Sequence, residues 1–211
     1  MSNPGLFISF EGIDGSGKST QVALLADHLR AAGHDVVVTR EPGGSAGAEE
    51  IRALVLQGDP DRWSAHTEIL LFTAARRDHL ERLILPALEA GKIVICDRFA
   101  DSTRMYQGLS RGNLRGVVDQ LHSLMIGVEP DLTLLIDMDP LEGLERAKGR
   151  QGHEERFEDF GADLQKAMRA GFLALADEFA ARFAVIDGAR SPDSVAADIS
   201  AVVDAALAVQ A

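Results

Sequence analysis

The sequence predicts an α/β chain built on a parallel five-stranded sheet with helices on both faces. Three observations carry that expectation. Short apolar runs at residues 6–10, 36–39, 93–96, 132–136 and 183–186 alternate with longer helical patterns, the order expected of parallel strands joined by crossover helices. Charged residues stand just past those runs, at Asp14, Arg40, Asp97, Arg98 and Asp137, and open parallel sheets bind ligands at the carboxyl ends of their strands. Between the first run and the first helix stands Gly12-Ile13-Asp14-Gly15-Ser16-Gly17-Lys18-Ser19, which fits G-x-x-x-x-G-K-[ST], the loop of the P-loop NTPase fold.

The elements follow in order. Leu6-Phe7-Ile8-Ser9-Phe10 reads as a buried strand, and Val22, Leu25, Ala26 and Leu29 give residues 19–29 one apolar face. Gly33 stops that helix before the second strand. Arg40-Glu41-Pro42-Gly43-Gly44 cannot be helical, so a loop precedes a short helix over 48–56. A long helical segment is expected over 65–90, bent near Pro86 and stopped by Gly91. After the third strand, helix resumes over 114–126, and Glu129-Pro130-Asp131 breaks it before the fourth. Pro140 opens a short helix over 141–147, since proline suits a first helical turn. A polar stretch follows in which Phe157 is the one apolar residue between Lys148 and Asp159. Helices over 163–182 and 192–209 flank the last strand.

Composition narrows the function. The 211 residues are 46% hydrophobic and 26% charged, which suits one domain with a full core. A net charge of -12, from 33 acidic and 21 basic residues, argues against nucleic acid polymers and anionic membranes as partners. No apolar run is long enough to cross a bilayer, and Met1-Ser2-Asn3-Pro4 has no basic or long apolar segment of a secretory signal. The single cysteine, Cys96, lies in an apolar strand and reads as an inert core thiol. The expectation is a soluble cytoplasmic protein without a membrane partner.

The loop chemistry is specific. Its glycines let backbone N–H groups turn toward phosphate oxygens, and the next helix aims its positive end at the same anion. ATP is therefore expected on Gly12, Ile13, Asp14, Gly15, Ser16, Gly17, Lys18, Ser19 and Thr20, with Lys18 reaching the β- and γ-phosphates. Ser19 and Asp97 are the expected ligands of Mg²⁺. Arg98 beside Asp97 suits bidentate capture of a phosphate. Phe72 and Arg76, four apart on one helix, can stack on a base and bond its edge; alone they would read as core and surface. The stretch from Arg146 to Arg156 is arginine-rich with two glycines, and reads as a lid over about 148–160 or as an exposed loop.

These pieces together resemble thymidylate kinase of the bacterial type over nearly the whole chain. The resemblance rests on Phe10-Glu11-Gly12-Ile13-Asp14-Gly15-Ser16-Gly17-Lys18-Ser19-Thr20, Thr39-Arg40-Glu41-Pro42-Gly43-Gly44, Leu70-Leu71-Phe72-Thr73-Ala74-Ala75-Arg76 and Asp97-Arg98-Phe99 with Ser102-Thr103 and Tyr106-Gln107-Gly108. It implies transfer of the ATP γ-phosphoryl group to dTMP, with Mg²⁺, by a homodimer. It implies that Phe72 stacks on thymine and that Arg76, Thr103 and Gln107 meet the base. Tyr106 would line the deoxyribose, Asp14 would meet its 3′-hydroxyl, and Arg40 and Arg98 would serve the acceptor phosphate. Catalytic charge is expected from Lys18, Arg98, Arg150 and Arg156. The chain departs from the family at Glu155-Arg156-Phe157-Glu158, where Asp-Arg is usual, and at Phe172, where a tyrosine is common. The variable part of its loop holds no arginine, so the lid must supply one. The rival readings are another P-loop kinase of nucleosides or nucleotides, and an ATP-hydrolysing switch.

Overall fold

In a computed structural model that describes residues 5–59, 61–109, 112–148 and 162–210, all five expected strands are present. They are β1 (Phe7–Glu11), β2 (Val36–Arg40), β3 (Ile93–Asp97), β4 (Leu132–Asp137) and β5 (Phe183–Asp187). Every pairing is parallel and the order is β2-β3-β1-β4-β5. The central strand, β1, is buried along its whole length, so both its faces carry apolar side chains. Ile8 and Phe10 point to one face with Ile95, Leu134 and Ile136, under α1 (Lys18–Ala31) and the closing helix. Phe7 points to the other with Val94, Cys96 and Phe99. Successive strand residues alternate between faces, so these two clusters are the two sides of one sheet.

Between β2 and β3 run α2 (Ala46–Leu56), α3 (Ala65–His79), a π-helical turn (Leu80–Ile84) and α4 (Leu85–Glu89). Near Pro86, where a bend was expected, the segment carries this π turn. Pro86 lacks an N–H and its ring would press on the carbonyl one turn back, so the helix widens just before it, with Leu85 N–H donating to Leu80 O. The remaining helices are α5 (Ala100–Tyr106), α6 (Arg115–Met125), α7 (Pro140–Lys148), α8 (Ala162–Glu178) and α9 (Pro192–Gln210).

Two elements differ from the sequence expectation. Helix α5 was not anticipated, because its residues show no apolar period; all seven are buried, and contacts from other elements hold them. Helix α8 stops at Glu178, short of the expected 182. The chain turns there because Phe179 is enclosed by the guanidinium groups of Arg104, Arg115 and Arg182, 4.7–5.9 Å from its ring centre. Arg182 in turn bonds the fully buried Asp101 and Thr133, tying the start of β5 to α5. The expected lid lies outside the described residues except for Lys148. Among the described residues, no helix is long and apolar enough to cross a membrane.

Candidate active site

Glu11, Arg40, Asp97, Asp137 and Asp187 end the five strands along one edge of the sheet. The phosphate loop rises from that edge. Gly15 adopts φ 77°, and a Cβ there would lie 1.9 Å from the carbonyl oxygen of Gly143 in α7, so only glycine lets the loop pass under that helix. Ile13 turns its side chain into the core with Met168 and Phe172, leaving its backbone to the loop. Lys18 is buried and donates to Gly12 O at 3.1 Å and Ile13 O at 2.8 Å. Burial, with Arg98 nearby, pushes its pKa down to about 8, although Asp14, Asp97 and Glu11 oppose the shift.

The exposed Ser19 hydroxyl donates to Asp97 Oδ2 at 2.7 Å. Two oxygen donors converging beside Lys18 fit a hard divalent cation that takes its other ligands from phosphate and water. No cluster of three or more His, Cys, Asp or Glu side chains suited to a metal occurs among the described residues. Ser19 and Asp97 are described side chains placed so that they could hold such an ion.

Arg98 is the one non-glycine residue with positive φ among those described, at 71°. That conformation costs about 1–2 kcal/mol in an L residue and needs support from its surroundings. The support is visible. Arg98 Nη1 donates to Gly12 O at 3.2 Å and Ser102 Oγ at 3.0 Å, and Nη2 to Asp14 Oδ1. Tyr106 OH donates to Asp14 Oδ2 at 2.9 Å. Burial works against the Arg98 cation, but Tyr106, Asp14, Asp97 and Glu11 outweigh it and hold its pKa above the ordinary value. Burial would likewise raise the Asp14 pKa, yet Arg98 and Lys18 keep it below the usual carboxylate range. Both groups are therefore charged at neutral pH.

These residues floor a cleft of about 510 Å³, within the range of small-molecule sites. Phe72, Arg76, Thr103, Tyr106 and Gln107 also line it, as do Arg40, Pro42 and Arg52. The structure thus brings together every expected acceptor-side residue. The exposed Arg40 also pairs with Glu49 at 3.2 Å. A second cavity of about 280 Å³ is lined by Thr20, Gln21, Arg146 and Arg190 among others. Gly15 and Gly17 border both cavities. Two ligands in these cavities would meet at the phosphate loop. Arg150 and Arg156 lie outside the described residues. Asp137 is held by Arg169, with two bonds of 2.7 Å, and lines neither cavity.

Several residues escaped the sequence reading. Arg76, only 4% exposed, is held by Glu41 through Nε at 2.7 Å and donates from Nη2 to Thr103 Oγ1 at 2.9 Å. His79 bridges the other Glu41 oxygen, at 3.2 Å, and the Thr39 hydroxyl, at 2.8 Å. Gly44 leaves room for this group: a Cβ there would come within 2.3 Å of the His79 ring. Glu41 lay in the quoted motif, but nothing in one sequence signals that His79 faces it. Glu11 is fully buried at the end of β1, where its carboxylate accepts from Phe99 and Ser102.

Comparison with known proteins gives the family and the fold. The family model described as thymidylate kinase matches residues 10–199. A thymidylate kinase of Ruegeria pomeroyi is 78% identical over 203 residues, covering 96% of each chain. One of Dinoroseobacter shibae is 65% identical, covering 95% of this chain and 97% of that protein. The crystal structure of thymidylate kinase from Ehrlichia chaffeensis superposes with a TM-score of 0.76 at 37% identity, covering 95% of this chain and all of that one.

Proposed function

The chain belongs to the thymidylate kinase family, and from that premise we propose how its residues divide the work of phosphorylating dTMP. The enzyme transfers the γ-phosphoryl group of ATP to dTMP, giving ADP and dTDP. An oxygen of the acceptor phosphate attacks the γ-phosphorus in line, and the bond to the oxygen bridging β and γ breaks toward ADP. ATP takes the smaller cavity, with its phosphates on the loop from Gly12 to Thr20. The acceptor takes the larger cleft. Lys18 neutralises charge on the transferring group, and Arg98, with Arg40, holds the acceptor phosphate. Ser19 and Asp97 would hold Mg²⁺, whose chemistry is to neutralise the β- and γ-phosphate oxygens.

Phe72 stacks on thymine while Arg76, Thr103 and Gln107 meet its edge. Tyr106 walls the deoxyribose and Asp14 meets its 3′-hydroxyl. The observation that carries this reading is the pair of cavities joined at Gly15 and Gly17, since an ATP-hydrolysing switch has no use for a second nucleotide pocket. The test is ADP formation with each nucleoside monophosphate in turn. dTMP is expected to be preferred, and an equal rate with ATP alone would favour the switch.

Phe72→Ala is expected to weaken dTMP binding by about 1–3 kcal/mol, the worth of base stacking, with ATP affinity unchanged. A loss of ATP affinity instead would reverse the assignment of the cavities. dUMP, lacking one methyl group, is expected to remain a poor substrate, because an apolar pocket discriminates a methyl by only about 1–3 kcal/mol.

We also infer one kinase unit spanning the chain, acting as a cytoplasmic homodimer. Exposed Leu70 on α3 and Leu124 and Met125 on α6 supply apolar surface for such a contact. Sedimentation at micromolar concentration checks it, with a monomer as the contrary result.

A further inference from the structure

We propose that Glu11 is a positioning residue for the acceptor side, its carboxylate locking the Arg98 turn to the first turn of α5 and so fixing where the Arg98 guanidinium stands. The geometry is specific. Glu11 ends the central strand, adjoins Gly12 and has no exposed surface. Its Oε1 accepts from Phe99 N–H at 2.8 Å and Ser102 N–H at 3.2 Å, and its Oε2 accepts from the Ser102 hydroxyl at 2.6 Å. All three donors lie just after Arg98. Phe99 precedes α5 without a side-chain cap of its own, so Glu11 caps that helix from across the sheet.

The hydroxyl of Ser102 makes the lock directional. It donates to Glu11, and its oxygen accepts from Arg98 Nη1. A carboxylate only accepts, which orients the hydroxyl this way. An amide in its place needs its oxygen at the two N–H groups. Its NH₂ then faces Ser102 and turns the hydroxyl proton toward the Arg98 cation. The isosteric variant therefore disturbs Arg98 without removing volume.

The charges around Glu11 come from several elements. Asp101 of α5 repels it but is itself paired with Arg104 and Arg182. Arg98 attracts it, and Lys18 of α1 and the Cys96 thiol of β3 also sense its charge. Burial first, then Asp101, pushes its pKa up to about 7 against the bonds from Ser102 and Phe99. Folding thus favours its protonated form, and the stability this gives is lost as pH rises from 4.5 through about 7. A carboxylate kept there at a cost to the fold is consistent with a role in function.

The inference rests on Arg98 serving the acceptor phosphate, and the experiment separates the two. For Glu11→Gln, kcat with dTMP is expected to fall about ten- to a hundred-fold, the effect of small misplacements of a positioning group. Its Tm at pH 8 is expected to hold or rise. In the wild type, kcat/KM for dTMP should decline below about pH 7 as one acceptor oxygen gains a proton; in the variant that limb should be gone. Ser102→Ala removes the hydroxyl and keeps the two backbone bonds, so it should lose kcat about ten-fold or more with only the small fall in Tm expected of one lost hydrogen bond, and it decides the matter if Glu11→Gln does not fold. A kcat within twofold of wild type in the folded variants overturns the proposal. So does a parallel fall of kcat and Tm, which would make Glu11 structural only. If Arg98→Ala keeps full activity, the reading of Arg98 fails instead.

Discussion

Replacing Lys18 with alanine is expected to lower kcat roughly 10²- to 10³-fold, the loss found when one preorganised donor to a developing anion is removed. The side chain is buried at the base of the loop and bonded to Gly12 O and Ile13 O, so it stands where the β- and γ-phosphates lie on the proposed reading. A neutral or short residue leaves the transition-state charge uncompensated, while KM for dTMP should change little. Steady-state kinetics with ATP and dTMP decide it; a loss of only a few-fold would sink the placement of the site. Stability should respond in a way that reports the charge. The folded pKa is about 8 against an ordinary 10.5, so below pH 8 the folded state carries the full cost of a buried ammonium. That cost fades as pH rises from 8 to 10.5. The Tm of Lys18→Met relative to wild type should therefore be most favourable below pH 8 and lose ground above it.

Arg150→Ala is expected to lower kcat by roughly 10³-fold, the contribution of an arginine that neutralises a transferring phosphoryl group, with little change in KM for dTMP. Among the described residues, three arginines near the loop already have partners. Arg98 is held by Asp14, Ser102 and Gly12, Arg190 by Asp198 and Asp187, and Arg146 reaches Gly188 O. Arg150 and Arg156 lie outside the described residues, but the described helices on either side of them in the chain, α7 and α8, both meet the loop or its neighbouring strand end. Gly143 of α7 touches Asp14 and Gly15, and α8 carries Gln165, bonded to Asp14, and Arg169, bonded to Asp137. Arg156→Ala should have the smaller effect and Arg146→Ala the least. Single alanine variants at the three positions provide the measurement. Near wild-type kcat in all three would move the charge to Arg98 or to the second subunit.

The sequence by itself determined the sheet and the identity of the chemistry. Five β-branched and apolar runs have no other burial than a shared sheet, and local periodicity reports that directly. Gly12 to Ser19 names its own function because loop, lysine and hydroxyl are adjacent in the chain. Phe72 and Arg76 could be paired because a helix brings residues four apart to one face. Tertiary structure alone decided α5, whose seven buried residues carry no apolar period and are capped by Glu11 from 88 residues away. It also decided that Arg98 adopts a left-handed backbone, that Glu41 and His79 hold Arg76, and that Phe179 ends α8 among three arginines. Each of these joins a charge to a partner distant in the chain. Periodicity records only which way a side chain faces; which charge it meets there is set by how the strands and helices pack.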